Sequence, residues 1–205
     1  MKKLLKVTAL LLVAVAMFAG CANSSSSSDD DKGSKDAAKK ATLFKESDLT
    51  EDFTYSSSTK LDDGDWVLSF IQVTNVGEVH PDYENEITET ELVEFTISES
   101  GTKATFTKYT EGYIQTTICK SGNITGEAKK EAEAHGMTVS GNKASMEKTK
   151  DRTESELASM NISFVNSYLA HASKTNSEKT KFYGEESGTT PQNYNYNIKM
   201  YIMKK

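Results

Sequence analysis

The chain has 205 residues, with 24 lysines and arginines against 30 aspartates and glutamates, a formal net charge of −6. An acidic balance of this kind argues against nucleic-acid binding and against a polybasic grip on anionic lipid. Two cysteines and three histidines are too few for a disulfide framework or a histidine-rich metal tract.

The first twenty residues have the order of a secretory signal peptide. Lys2, Lys3 and Lys6 make a basic start, Val7 to Phe18 runs without a charge, and the small pair Ala19 and Gly20 precedes Cys21. The apolar run is about a dozen residues, short of the roughly twenty that a bilayer-spanning helix needs. The string Phe18-Ala19-Gly20-Cys21 resembles a bacterial lipobox, with Phe18 where leucine is commoner. The resemblance implies a bacterial lipoprotein. A diacylglycerol with palmitate-type chains is carried on the Cys21 thiol, cleavage falls just before Cys21, and the protein sits in the cell envelope, at the outer membrane or cell surface. Its partner would then be membrane lipid. The competing reading is a plain secretory signal cut near Ala16 or Ala19, with an incidental cysteine. Each buried methylene contributes about 0.8 kcal/mol, so one acyl chain anchors marginally and two or three anchor firmly.

Residues 21–45 read as a tether. Ser24 to Ser28 and Asp29 to Asp31 have nothing to bury and stay solvated. A short helix from Lys35 to Lys45, resting on Ala37, Ala38, Ala41 and Phe44, is expected here, or else more linker. Loss of the leader removes three lysines and brings the net charge near −9. Residues 46–205 are enough for one domain. Its one arginine is Arg152, so no arginine cluster exists to read phosphates.

From Lys60 onward, apolar and polar residues alternate between glycines, which predicts a mostly β, antiparallel domain. Trp66, Leu68 and Phe70 lie on one face of a first strand; Val93, Phe95 and Ile97 on one face of another. Gly101 is expected to turn the chain into Ala104–Thr107, Gly112 into Ile114–Ile118, and Gly122 into Ile124. Gly136 and Gly141 bracket a short strand, Ala144 and Met146 continue beyond it, and Tyr194–Ile202 is the last strand. Glycines spaced about eleven residues apart suggest an up-and-down meander closing into a sandwich or barrel.

Leu157, Met160, Phe164, Val165, Tyr168 and Leu169 recur at helical spacing, after Thr153-Glu154-Ser155-Glu156, which has the spacing of a capping box. One amphipathic helix over 153–173 is expected, covering the sheet or a barrel end; the competing reading is a strand through Met160–Phe164.

Gly64-Asp65-Trp66 opens the first strand as G-x-W. With a meander and one late helix, this resembles a lipocalin-like barrel. The resemblance implies that Trp66 closes the barrel bottom while the open end takes a small apolar ligand. The family's T-D-Y motif is absent, and the arginine that stacks on its tryptophan has no matching position here; Arg152 is the sole candidate. Inward residues of such a barrel would be Trp66, Leu68, Phe70, Phe95, Phe106 and Ile114, with Ile97, Ile118, Met146, Ile198 and Met200. They would suit an apolar guest or make a closed core.

Catalytic and metal signatures are absent from the sequence. His80, His135 and His171 lie far apart and read as loop, turn and helix end. Asp62-Asp63-Gly64-Asp65 resembles part of an EF-hand loop but has Val73 where the twelfth-position glutamate belongs. Glu84, Glu86, Glu89, Glu91 and Glu94 read as a solvated strand face, with a calcium site as the sharper alternative. Cys119 is expected to pack as a small hydrophobe, unpaired once Cys21 carries lipid. Tyr194, Tyr196 and Tyr201, with the asparagines between them, make a half-buried strand or a contact surface. The expectation is a non-enzymatic binding module without a cofactor, possessing a small apolar ligand site; the alternative is a surface-interaction or structural envelope protein with a closed core.

Overall fold

A computed structural model describes residues 21–22, 54–55, 60–80 and 82–205. The expected signal peptide, the helix at 35–45 and nearly all of the tether lie outside the described residues. Strands β1 (Cys21–Ala22) and β2 (Thr54–Tyr55) precede three long strands, β3 (Gly64–His80), β4 (Tyr83–Ser98) and β5 (Lys103–Cys119). Then come β6 (Asn123–Ile124), helix α1 (Gly126–Ala134), β7 (Thr138–Ser140) and β8 (Lys143–Asp151). Helices α2 (Glu154–Ala158) and α3 (Ile162–Leu169) lead to β9 (Lys174–Thr175), β10 (Lys181–Thr189) and β11 (Asn195–Lys204).

Nine of these strands form one sheet in the order β2-β9-β10-β11-β3-β4-β5-β8-β7, antiparallel at every pairing, and β1 pairs with β6 separately. The mostly β expectation holds. Among the described residues the sheet is open, with β2 and β7 at its edges. The meander holds for β3, β4 and β5, after which the last strand, β11, returns to lie against the first long one.

One expected turn is corrected. Gly112 lies inside β5, paired with Thr90 on one side and Thr149 on the other, so Ala104–Thr107 and Ile114–Ile118 belong to a single strand. The turn at Gly101 is present. Glu99, Ser100 and Gly101 all take positive φ, and the Asp63 carboxylate accepts from the amides of Ser100 at 3.1 Å and Gly101 at 2.7 Å. A Cβ on Gly101 would come within 2.6 Å of the Leu61 carbonyl oxygen, so this close approach requires glycine.

The expected single helix over 153–173 is two. The Thr153 capping box is present and starts α2; Asn161, in extended backbone, then accepts from the Ser163 amide at 2.9 Å and starts α3 afresh. An asparagine side chain competes with helical backbone hydrogen bonding, which is why the chain restarts there. Helix α1 was not foreseen. It buries Ala128 and Ala132, four residues apart, against Tyr83, Cys119, Ile124, Met137 and Ala144.

The main core lies on one face of the sheet, beneath α3. Trp66, Leu68, Phe95, Ile97, Phe106, Met200 and Ile202 are buried there with Val165 and Leu169 of the helix. On the other face Val67, Ser69, Thr90, Leu92, Tyr183 and Tyr201 are buried as well, so the central strands are covered on both sides.

Candidate functional site

The expected ligand-lining residues divide between the two faces. Trp66, Leu68, Phe95 and Phe106 are buried together, with Phe70 packed against them. Ile114 pairs with Thr88 and stands on the opposite face, a correction with a local cause. Glu94 pairs with Lys108 but Phe95 pairs with Phe106, so Thr107 is an extra residue bulged into β5. A one-residue slip moves every following side chain to the other face. Phe106 and Ile114 share sequence parity but not a side of the sheet. Ile118, beyond the same bulge, is displaced likewise.

Trp66 is fully buried and its indole N–H donates to the Asp62 carbonyl at 2.9 Å. The Lys204 ammonium lies 5.6 Å over its ring, while Arg152 lies 5.2 Å over Tyr109 instead. Gly64, at φ 140°, leaves room for the Lys204 stem, which a Cβ would strike. One hollow against the main core has a volume near 30 Å³ and is lined by Phe70, Tyr168, His171, Gly184 and Met200. That is room for about one water molecule, against the roughly 300–1,000 Å³ of small-molecule sites. A wider hollow of about 290 Å³ is an open groove between Phe106 and Thr107 on β5 and Leu157 and Met160 beside α2.

Polar chemistry gathers where the apolar face gives way to charge. Glu91 on β4 accepts from the Tyr168 hydroxyl of α3 at 2.5 Å and from the Tyr109 hydroxyl of β5. Burial pushes the Glu91 carboxyl above the usual carboxylate range; the two tyrosines oppose this, and Glu111 and Glu89 reinforce it. Next to it, Glu111 accepts from Arg152 at 2.5 Å, and Arg152 also reaches Glu156 at 3.2 Å. Glu89 is raised by burial and then by Glu111, and receives a 3.4 Å hydrogen bond from the Gln72 amide. Burial first, then the charge of Glu91, hold both the Tyr109 and Tyr168 hydroxyls far above the ordinary phenol range, so both remain donors.

Reading the glutamate run as a solvated face therefore fails at Glu91, which is half-buried, while Glu89 stays exposed. The signal was present: residues 89 and 91 share parity with Val93, Phe95 and Ile97, whereas 84, 86 and 94 do not. Cys119 is the other correction. It is buried, but it is disulfide-bonded, and no described cysteine is free.

His171 keeps its place just beyond α3, its Nδ1 3.3 Å from Glu186, and His135 follows α1 in a turn with Gly136. His80, read as loop, ends β3 instead. Among the described residues, no three His, Cys, Asp or Glu side chains gather to hold a metal, and no helix is long and apolar enough to cross a membrane. No protein-family model, curated protein or solved structure matches this chain.

Proposed function

We propose that this chain is a bacterial lipoprotein, anchored in the cell envelope by acyl chains on Cys21, whose β domain works through its surface as an interaction or structural module rather than by enclosing a ligand. The anchor rests on the order of Lys2, Lys3, Lys6, the apolar run to Phe18, and Ala19-Gly20-Cys21. The surface role rests on one observation, the filling of the apolar face by α3, which leaves a hollow of about 30 Å³ beside Phe70 and, at Phe106, an open groove rather than an enclosed cavity. No enzymatic role is proposed.

The sulfur of Cys21 can carry a thioether or a disulfide, not both. In the acylated protein Cys119 is a thiol with 1% exposure, inert for lack of access. Metabolic labelling with palmitate, followed by intact-mass measurement of the native protein, separates the two. The acylated form carries label, loses it in Cys21→Ala and keeps it in Cys119→Ser. An unlabelled wild type with its two cysteines bridged would overturn the anchor.

A second reading, a lipocalin-like domain with a small apolar ligand, is favoured by Gly64, Trp66 and the cation of Lys204 above the indole. It requires the core to open. Saturable quenching of Trp66 fluorescence by a fatty-acid probe at micromolar concentration supports it; no quenching up to the probe's solubility rejects it.

A further inference from the structure

We propose that the contact between Tyr168 and Glu91 is a pH-operated latch that holds helix α3 against the apolar face of the sheet. Helix α3 has two fully apolar anchors, Val165 and Leu169, but only eight residues, and Phe164 and Tyr168, which pack over β3 and β5 beside them, are aromatic. Tyr168 packs edge-on to Phe70 at 5.7 Å and against Phe164 at 5.0 Å, so its hydroxyl is aimed at the carboxyl of Glu91. A helix this short draws its stability from docking rather than from propensity. The bond to Glu91 is a polar tie from the helix to the sheet at the end where the apolar packing thins.

The groups around Glu91 decide how it responds to pH. Tyr109 and Tyr168 present hydroxyls, and Glu111 and Glu89 present like charge from β5 and β4. The cation within the cluster, Arg152, is engaged by Glu111 and Glu156. On β3, Gln72 binds Glu89. Tyr113 of β5 feels the charge of Glu89. On the far side of Tyr168, His171 pairs with Glu186 of β10. Protonated, Glu91 sits in this pocket without charge and the helix stays docked. Ionised, it is a third carboxylate where Glu89 and Glu111 already stand, with two phenols to solvate it. Relief comes by admitting water, which lifts α3. The folded carboxyl titrates above its unfolded value, so the latch is intact at acid pH and weakens as pH rises through the folded value. Its release would bare Phe70 and the small hollow beside it.

Amide hydrogen exchange of the full-length protein between pH 5 and 9, corrected for intrinsic rates, tests this, with α1 as the internal reference because it packs in a separate cluster. Protection in α3 is expected to fall by up to about tenfold per pH unit between the ordinary carboxylate value and the raised Glu91 midpoint, the slope of one proton, and to level off above that midpoint, while α1 holds. Glu91→Gln, which keeps the neutral shape, should hold α3 protection within about twofold across the range. Tyr168→Phe should expose α3 to exchange already at pH 5, and His171→Gln should leave the slope unchanged. Equal loss in α1 and α3, a wild-type slope in Glu91→Gln, an unaltered α3 at pH 5 in Tyr168→Phe, or a slope abolished by His171→Gln would each overturn the latch.

Discussion

Single residues in this protein are constrained by what touches them on the far side of the sheet or helix. Trp66 is enclosed by Phe182, at 6.0 Å between ring centroids, and by the Lys204 stem. Its removal leaves a void that the flanking strands cannot collapse into. Trp66→Ala is expected to cost about 3–5 kcal/mol, measured as a drop in the urea midpoint at constant m-value. Gly184 is a second such point. A Cβ there would overlap the carbonyl oxygen of His171, which follows α3. Gly184→Ala should cost about 1–3 kcal/mol, the usual penalty of overpacking, seen as a lower thermal midpoint. Both residues were visible in the sequence, but only Trp66 carried its importance there. A tryptophan declares its bulk, whereas a glycine in a strand does not say which backbone will come near.

At the scale of elements, the short helices depend on their caps. Thr153 accepts from the Glu156 amide while Glu156 accepts from the Thr153 amide at 2.8 Å, and Asn161 caps α3. Those backbone and hydroxyl bonds from Thr153, with Arg152 and Lys150 beside it, hold the Glu156 carboxyl down to about 2. A depressed carboxyl favours the folded state above its unfolded value and loses that contribution as pH falls through the folded value. The cap of α2 is therefore expected to weaken below about pH 4.3 and to be gone near pH 2, followed by chemical-shift change at Thr153 and Glu156. Asn161→Ala should destabilise by about 1 kcal/mol and fray the start of α3, read by exchange at Val165 relative to α1. The capping box was legible from spacing alone because it is a local pattern. The break between α2 and α3 was not, since Leu157, Met160 and Phe164 keep helical spacing across it and only Asn161 marks the restart.

For the whole molecule, the decisive link is β11. It joins the β10 hairpin to β3 along ten residues and places the last strand beside the first long one. Deleting residues 195–205 would strand β9 and β10 and expose the edge of β3. Loss of the cooperative unfolding transition and of far-UV strand signal is expected; a truncated chain that still melts cooperatively would contradict this reading of the sheet. Pairing of segments so far apart in sequence also predicts slow folding, since loop closure precedes its reward. The chain by itself determined the things that depend on neighbours: alternation gave the strands, Gly101 its turn and Thr153 its cap. Tertiary structure alone decided which strand lies beside which, that the sheet stays open, and where the parity of β5 changes. It also brought Tyr168 to Glu91 across 77 positions. Local patterns fix φ, ψ and face because those depend on adjacent side chains. A bulge, a strand order and a tyrosine beside a half-buried carboxylate depend on groups that meet only once the chain has folded back on itself.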